Sequence, residues 1–267
     1  PSAGGNNPET GTEWMSVATE KTAKSGGLGE TVKIIIQALV LALIVRTLLF
    51  QPFNIPSGSM ENTLLVGDYL FVSKFAYGYS NHSFPYSPEM IKGRIWSAPP
   101  ERGDVVVFRL PVRPWEDYIK RVVGLPGDRV QMIDGVLHIN GEPCKMERVE
   151  DYVTVDTYGS ELRVPRFRET FPNGTSHYVL DAKPDEPGAD DTQEFVVPPG
   201  HYFMMGDNRD HSNDSRMADS GVGFVPEENL VGRADIIFFS TDGSAQISEI
   251  WKWPAAFRYD RFFHSID

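Results

Sequence analysis

Cysteine, runs of one charge sign and long hydrophobic stretches are all scarce in this 267-residue chain. The single cysteine, Cys144, excludes an internal disulfide and a metal site built from several cysteines, and we expect it to pack as a small buried hydrophobe. Acidic residues outnumber basic ones by 37 to 25, and no lysine or arginine run occurs, which argues against a nucleic-acid partner. With 40% hydrophobic residues, the chain is nevertheless long and apolar enough to form a folded core.

One apolar segment, residues 31–51, follows a tail (residues 1–30) that is rich in Gly, Ser, Thr, Asn and Glu and is predicted to be disordered. The segment is apolar on every side and has the roughly 20 residues needed to cross a bilayer, which predicts one transmembrane helix. Lys33 and Arg46 lie near its ends, where long side chains can reach lipid headgroups. A buried core helix is the alternative. A cleavable signal peptide is disfavoured because Gln51-Pro52-Phe53 follows instead of a small-residue cleavage site.

The charges that flank the apolar segment predict its orientation. Lys21, Lys24 and Lys33 lie on its N-terminal side, whereas no lysine or arginine follows the segment until Lys74. Because positively charged flanks remain in the cytoplasm, we expect the tail there and the bulk of the protein on the opposite side of the membrane.

The chain after the apolar segment is predicted to be mainly β. Short runs rich in Val, Ile, Phe and Tyr alternate with turn signals, and Asp134-Gly135 between two of them is a strong hairpin signal. A more polar stretch, residues 141–194, predicts an inserted β subdomain within a β core formed by residues 52–140 and 195–267. The predicted strands are Tyr69–Val72, Asp104–Arg109, Tyr118–Val123, Arg129–Ile133, Val136–Ile139, His201–Met205 and Ala234–Ser240.

A serine-rich turn, Ser57-Gly58-Ser59-Met60, follows closely on the apolar segment. Two serines that flank a glycine predict a tight turn, which can expose a hydroxyl and direct backbone N–H groups outward. Taken alone, the segment favours an ordinary structural turn over a nucleophile.

Lys120 lies inside an apolar, strand-like run and next to Arg121. Because side chains alternate along a strand, Tyr118 and Lys120 share one face, and Ile119 and Arg121 share the other. Either both cations lie at solvated edges, or Lys120 is buried and the loss of hydration lowers its pKa until the neutral amine can accept a proton. Taken alone, the run favours the first interpretation, in which both cations lie at solvated edges.

The densest polar segment, Gly206–Arg216, directly follows an apolar strand. A calcium loop of the EF-hand type is disfavoured because the sixth-position glycine and the twelfth-position glutamate are absent. A Ser-His-Asp site would combine Ser59 with His211 and an aspartate. The third interpretation is a network of Asp–Arg pairs that holds this loop against the core, with Ser212 as a hydrogen-bonding residue that orients a neighbour.

Four segments, taken in their order along the chain, resemble the motifs of the bacterial type I signal peptidases (leader peptidases). The similarity extends from about residue 44 to residue 234 and is weakest across residues 141–194. It implies a mainly β fold, with an antiparallel β catalytic domain, an inserted second β domain and a preceding transmembrane helix. The four segments are Pro56–Met60, Arg102–Phe108, Tyr118–Asp128 and Gly206–Arg216.

The resemblance also implies a serine–lysine dyad rather than a triad. Ser59 matches the nucleophile and Lys120 the general base, while the Ser59 N–H and the Ser57 hydroxyl match the oxyanion hole. Ser212 matches a serine that orients the lysine amine. The supporting residues are Asp207, Arg209, Asp214 and Arg216, and the substrate-cleft residues are Phe53, Ile55, Met60, Leu64, Tyr118 and Ile119.

The activity implied by the resemblance is that of a membrane-bound serine endopeptidase, which removes signal peptides from exported preproteins after the pattern Ala-x-Ala. Preproteins and the lipid bilayer are the expected partners, without a metal or a cofactor, at the outer face of the bacterial inner membrane. The chain departs from the family's best-known members in three respects. It has one predicted span instead of two, a lone Cys144 where some carry a disulfide, and a longer segment at Met217–Gly223.

Two rival functions follow from the same residues. A membrane-anchored β domain could bind exported polypeptides without cutting them, but the presence of Ser59, Lys120 and Ser212 together counts against it. A self-cleaving, repressor-type Ser–Lys protease would be soluble and linked to DNA, which the apolar segment and the net charge of −12 disfavour.

Overall fold

A computed structural model describes residue 4 and residues 28–84, 86–155, 160–182, 189–217, 222–246 and 248–266. Most of the tail predicted for residues 1–30 therefore lies outside the described residues. The same holds for the middle of the Met217–Gly223 segment.

The first element is helix α1, which spans Leu28–Leu48 and has no buried residue. In the described part of the chain, it is the one helix long and apolar enough to cross a bilayer. It begins and ends earlier than the predicted 31–51 segment. The last residues of that segment are taken up by a strand, where Phe50 and Gln51 pair with Ser73 and Val72.

The remainder of the described chain is mainly β, as predicted. Its only α-helix after α1 is the short α2, Trp253–Ala256, within the described residues. The strands are β1 (Phe50–Asn54), β2 (Asp68–Ser73), β3 (Val105–Leu110), β4 (Arg113–Gly124), β5 (Arg129–Ile133), β6 (Val136–Ile139), β7 (Glu142–Pro143), β8 (Lys145–Arg148), β9 (Tyr152–Val155), β10 (Glu161–Val164), β11 (Arg166–Thr170), β12 (Ser176–Leu180), β13 (Phe195–Val196), β14 (His201–Met205), β15 (Phe224–Pro226), β16 (Leu230–Ser240) and β17 (His264–Ser265).

The strands form one large antiparallel sheet and three smaller ones. The large sheet has the order β1-β2-β16-β3-β4-β14-β15, with β17 added on β16. The smaller sheets are β13-β5-β6-β7, β12-β11-β8 and the hairpin β9-β10. The large sheet therefore combines strands from before and after the stretch that holds the small sheets, as expected for a β core with an insertion.

The predicted Asp134-Gly135 hairpin is confirmed. Both residues have positive φ angles, 48° and 73°, and the turn folds β6 back onto β5. As a consequence, β5 and β6 pair with β7 and β13 rather than with the large sheet. Strand pairing thus assigns residues 129–140 to the smaller sheets, whereas the sequence placed them in the core. The domain boundaries themselves remain a prediction.

Strand β4 is covered by apolar side chains on both faces near its C-terminal end. Val122 packs in a core cluster with Phe108 and Met204, while Val123 packs in a different cluster with Val130. Lys120 and Arg121, which directly precede Val122 on β4, are therefore both buried, although they lie on opposite faces of the strand.

Cys144 belongs to one of these clusters and is 4% exposed, so its predicted burial is confirmed. Desolvation raises the pKa of its thiol to about 12, which leaves it in the unreactive protonated form.

Candidate active site

Ser59 lies in a single turn of 3-10 helix, Gly58–Met60, a few residues after the end of β1. The turn is anchored because Met60 and Leu64 are fully buried in a core cluster that also contains Ile55. Ser59 itself is 7% exposed, so its hydroxyl lies at the edge of the core rather than in solvent.

Lys120, on β4, directs its amine at this hydroxyl, with Nζ 2.5 Å from Ser59 Oγ. The residue is 3% exposed. Desolvation lowers the pKa of the amine to about 8, although the charges of Asp214 and Asp207 act in the opposite direction, and Arg216 lowers it further. A substantial fraction of the lysine is therefore neutral at mildly alkaline pH.

The interpretation with both cations at solvated edges is wrong, because Arg121 is also buried, at 1% exposure. It occupies the opposite face of β4 and is bound by Asp207, with Nε–Oδ1 and Nη2–Oδ2 distances of 2.9 and 2.8 Å. Thr63 Oγ1 donates a third hydrogen bond to the same carboxylate at 2.6 Å. Arg121 was not among the predicted site residues, although Asp207, directly after an apolar strand, was a signal that a buried cation would face it.

A second buried ion pair, Asp214–Arg216, lies close enough to Lys120 for both charges to act on its pKa. The guanidinium contacts both carboxylate oxygens at 3.0 Å, and the Gly206 N–H donates to Oδ2 at 3.0 Å. Burial opposes ionisation, but Arg216 and these hydrogen bonds hold the pKa of Asp214 below its ordinary value. These contacts support the Asp–Arg network interpretation of the Gly206–Arg216 segment.

Gly206 allows this loop to approach the nucleophile closely. A Cβ atom on Gly206 would lie 2.5 Å from the Ser59 carbonyl oxygen and also collide with Ser212. Ser212 is 4% exposed, but its hydroxyl makes no hydrogen bond to Lys120 in the described residues, so its orienting role stays a prediction.

His211 is exposed, and its ring Nδ1 lies 3.3 Å from Asn208 Oδ1. No described contact joins the imidazole to Ser59, whose hydroxyl is paired with Lys120 instead. The geometry therefore gives no support to a Ser-His-Asp site.

The predicted oxyanion and cleft residues differ in how deeply they are buried. Ser57 is exposed, in extended conformation at the start of the 3-10 turn. Tyr118 is half-buried, with its ring centroid 5.6 Å from Lys120 Nζ. Phe53 and Ile119 are half-buried against the core, while Ile55, Met60 and Leu64 are buried within it. The buried three can form the floor of a cleft but offer almost no surface to a substrate in this structure.

A cavity of about 1360 Å³ is lined in part by residues of β1 and β4. Its lining includes Gln51 of β1 and Asp117 of β4, together with Lys74 and Arg109. Neither Ser59 nor Lys120 lines it. The cavity is therefore not centred on the dyad.

Comparison with known proteins relates the chain by sequence to one family. Residues 28–239 match the family described as "Signal peptidase, peptidase S26". Signal peptidase I of Rickettsia typhi is 45% identical over 213 residues, covering 76% of this chain and 77% of that protein. Signal peptidase I of Rickettsia bellii is 40% identical over 252 residues, covering 88% and 84%. A crystal structure of a signal peptidase I from Enterococcus faecalis V583 is 26% identical, covering 51% of this chain and 97% of that one, with a TM-score of 0.30.

Proposed function

The chain belongs to the signal peptidase family, peptidase S26, and is therefore a protease that removes signal peptides. We propose that it cleaves by a Ser59–Lys120 dyad and that it cuts after small residues in the pattern Ala-x-Ala. The observation that carries the proposal is the buried amine of Lys120 at 2.5 Å from the Ser59 hydroxyl. We also propose that α1 anchors the enzyme in the bacterial inner membrane.

In the proposed mechanism, Lys120 acts as the general base. Its neutral amine takes the hydroxyl proton of Ser59 as Oγ attacks the scissile carbonyl carbon. The developing oxyanion accepts hydrogen bonds from the Ser59 N–H and the Ser57 hydroxyl. Lys120 then returns the proton to the leaving amine as the peptide bond breaks, which leaves an ester on Ser59. Lys120 then takes a proton from a water molecule as that water attacks the ester carbon. It gives this proton to Ser59 Oγ when the bond between Oγ and the acyl carbon breaks, which releases the acid product and restores the free hydroxyl.

The two neighbouring carboxylates do not prevent this role, because each has its own counter-charge. Asp214 is paired with Arg216, and Asp207 with Arg121. Their fields at Lys120 are thereby partly cancelled, so the cost of burying an ammonium ion dominates and the amine loses its proton readily.

Two strands near the dyad residues along the chain offer a free edge to an extended substrate: β4, which carries Lys120, and β1, which ends shortly before Ser59. In the described residues, β1 pairs only with β2, and the part of β4 before Arg121 pairs only with β3. Each strand therefore has one edge of unpaired N–H and C=O groups, the kind to which a peptide can add as a further strand. We propose that the residues before the scissile bond bind there, in the direction of the cavity that contains Asp117.

The specificity prediction concerns the residues at the first and third positions before the cut. We expect purified enzyme to cleave an Ala-x-Ala preprotein and to slow progressively as either alanine is enlarged, since one methylene is worth about 1–3 kcal/mol in a small pocket. N-terminal sequencing of the product locates the cut, and Ser59→Ala is the inactive control. Efficient cleavage after phenylalanine or lysine would contradict the proposal. Binding without any cleavage would favour the non-catalytic alternative.

The orientation prediction concerns the domain after α1. Because Lys21, Lys24 and Lys33 lie before or within the start of the apolar segment, we expect protease added to the outer face of spheroplasts to degrade this domain and spare the tail. The measurement is immunoblotting with tags placed at each end. Protection of the domain with loss of the N-terminal tag would show the reverse orientation.

A further inference from the structure

A buried polar cluster lies where the insertion meets the catalytic loop, outside the Ser59–Lys120 pair. Glu169 on β11 and His177 on β12 come from the insertion, while Asp207 and Arg209 come from the loop after β14. Their exposures are 0, 6, 1 and 3%, respectively. Burying a charged side chain costs folding free energy unless an opposite charge pairs with it, so these four side chains are expected to be held in specific pairs.

The backbone of the insertion is joined directly to the loop. The Leu180 N–H, at the end of β12, donates to the Asp207 carbonyl at 2.9 Å, and the Arg209 N–H donates to the Leu180 carbonyl at 2.9 Å. The two hydrogen bonds form a parallel bridge between Leu180 and Asn208. The loop therefore depends on β12 for part of its conformation.

Side-chain charges reinforce this junction. Arg209 Nη2 donates to Glu169 Oε2 at 2.5 Å, and the His177 ring lies 3.3 Å from the same oxygen and 4.0 Å from Asp207. Together with Arg121, the cluster holds two guanidinium groups and two carboxylates, so it is neutral when His177 is neutral. Burial and the field of Arg121 lower the pKa of His177, and its ring packs at a tilt against that of Phe171, with the ring centroids 4.7 Å apart.

The same loop leads on to the reacting groups. The Asn208 N–H donates to the Ser59 carbonyl at 3.1 Å, and its side-chain amide donates to the Gly58 carbonyl at 3.2 Å. Asp207 binds Arg121, the neighbour of Lys120 on β4. A displacement of the loop would therefore move both members of the dyad.

We infer that Glu169 is a positioning residue for catalysis, which acts from the inserted β strands through Arg209 on the loop that supports Ser59 and Lys120. The inference deepens the proposed function and rests on it. It makes the insertion part of the active-site scaffold, in addition to any contact it makes with substrate.

The test replaces Glu169 by glutamine, which keeps the size of the side chain and removes its charge. This leaves Arg209 without its counter-charge, so the loop and the Ser59 nucleophile should shift by up to about 1 Å. We expect such a shift to lower kcat by about 10- to 100-fold and to leave KM nearly unchanged. Water admitted by the displaced loop should also move the pH midpoint of kcat/KM upward, because a less desolvated Lys120 is harder to deprotonate. The matched control is Glu161→Gln on β10. Glu161 forms an exposed ion pair with Arg163, so this variant should behave as wild type.

Hydrogen exchange provides a readout that does not need activity. In Glu169→Gln, amides of residues 57–60 and 206–210 should exchange faster than in wild type or Glu161→Gln. If Glu169→Gln does not fold, Glu169→Asp, which retains the charge but withdraws it by one methylene, is measured in its place. A folded Glu169 variant with wild-type kcat, pH midpoint and exchange overturns the inference, as does one that loses only stability. If wild-type enzyme cuts no preprotein, the proposed function fails, while the exchange result still decides whether Glu169 positions the loop.

Discussion

Replacing Lys120 by arginine is expected to abolish turnover, although the positive charge and much of the side-chain volume are kept. Arginine holds its proton under any assay condition, so it can donate to the Ser59 hydroxyl but cannot accept from it. Loss of a general base costs about 10²–10⁴-fold in rate, and loss of the same group as the acid for the leaving amine adds to this. The measurement is initial cleavage of one preprotein by purified wild type and Lys120→Arg, with folding checked by circular dichroism.

The matched control for the lysine variant is His211→Ala. The imidazole is exposed and has no described contact with Ser59, so its removal should leave most of the activity. Wild-type kcat/KM should rise with pH through a midpoint near the Lys120 pKa of about 8, because only the deprotonated amine is a base. Activity in Lys120→Arg, or loss of activity in His211→Ala, would contradict the assignment of Ser59 and Lys120 as the catalytic dyad.

Asp207→Asn is expected to have the largest effect on stability. The substitution leaves the Arg121 guanidinium, 1% exposed, without the carboxylate that now binds it through two hydrogen bonds. Breaking a buried ion pair in this way costs about 3–5 kcal/mol, because an uncompensated charge remains in the interior. The free energy of unfolding, from urea titration of the detergent-solubilised protein followed by near-ultraviolet circular dichroism, should fall by that amount.

The comparison variant for this measurement is Glu116→Gln. Glu116 pairs with Arg113 at 3.2 Å, but the two side chains are 36% and 45% exposed, and such a surface pair is worth about 0–1 kcal/mol. A loss for Asp207→Asn no larger than that for Glu116→Gln would show that Arg121 finds another partner or water, and that the pair does not hold β4 to the loop.

Local patterns in the sequence were sufficient to locate several strands. The bounds of β5, β6 and β14 agree with the predicted runs, because alternation and turn residues act within a few positions of each other. Pairing between strands far apart in the chain carries no such local signal. The sequence therefore could not show that β5 and β6 leave the large sheet, or that β16 lies between β2 and β3.

The candidate site was predicted in part for a related reason. Ser59 and Lys120 lie in segments that resemble a family's motifs, and alternation correctly placed Lys120 and Arg121 on opposite faces of β4. Alternation does not reveal whether a second face is covered, and both faces are covered here, so the burial of Arg121 was missed. Glu169 and His177 were missed because their partners lie on a distant loop, and nothing in the polar insertion distinguishes these two residues from exposed ones.

The chain between the end of α1 at Leu48 and the nucleophile at Ser59 is short. Even fully extended, at about 3.5 Å per residue, it reaches no more than about 40 Å. If α1 is the anchor, Ser59 is thus confined to a thin shell over the bilayer, where a preprotein retained by its own apolar segment is also found. Confinement of both molecules raises their effective concentration without any additional contact. If α1 is the anchor, we therefore expect an Ala-x-Ala sequence deep in an exported domain to escape cleavage, because Ser59 cannot reach it.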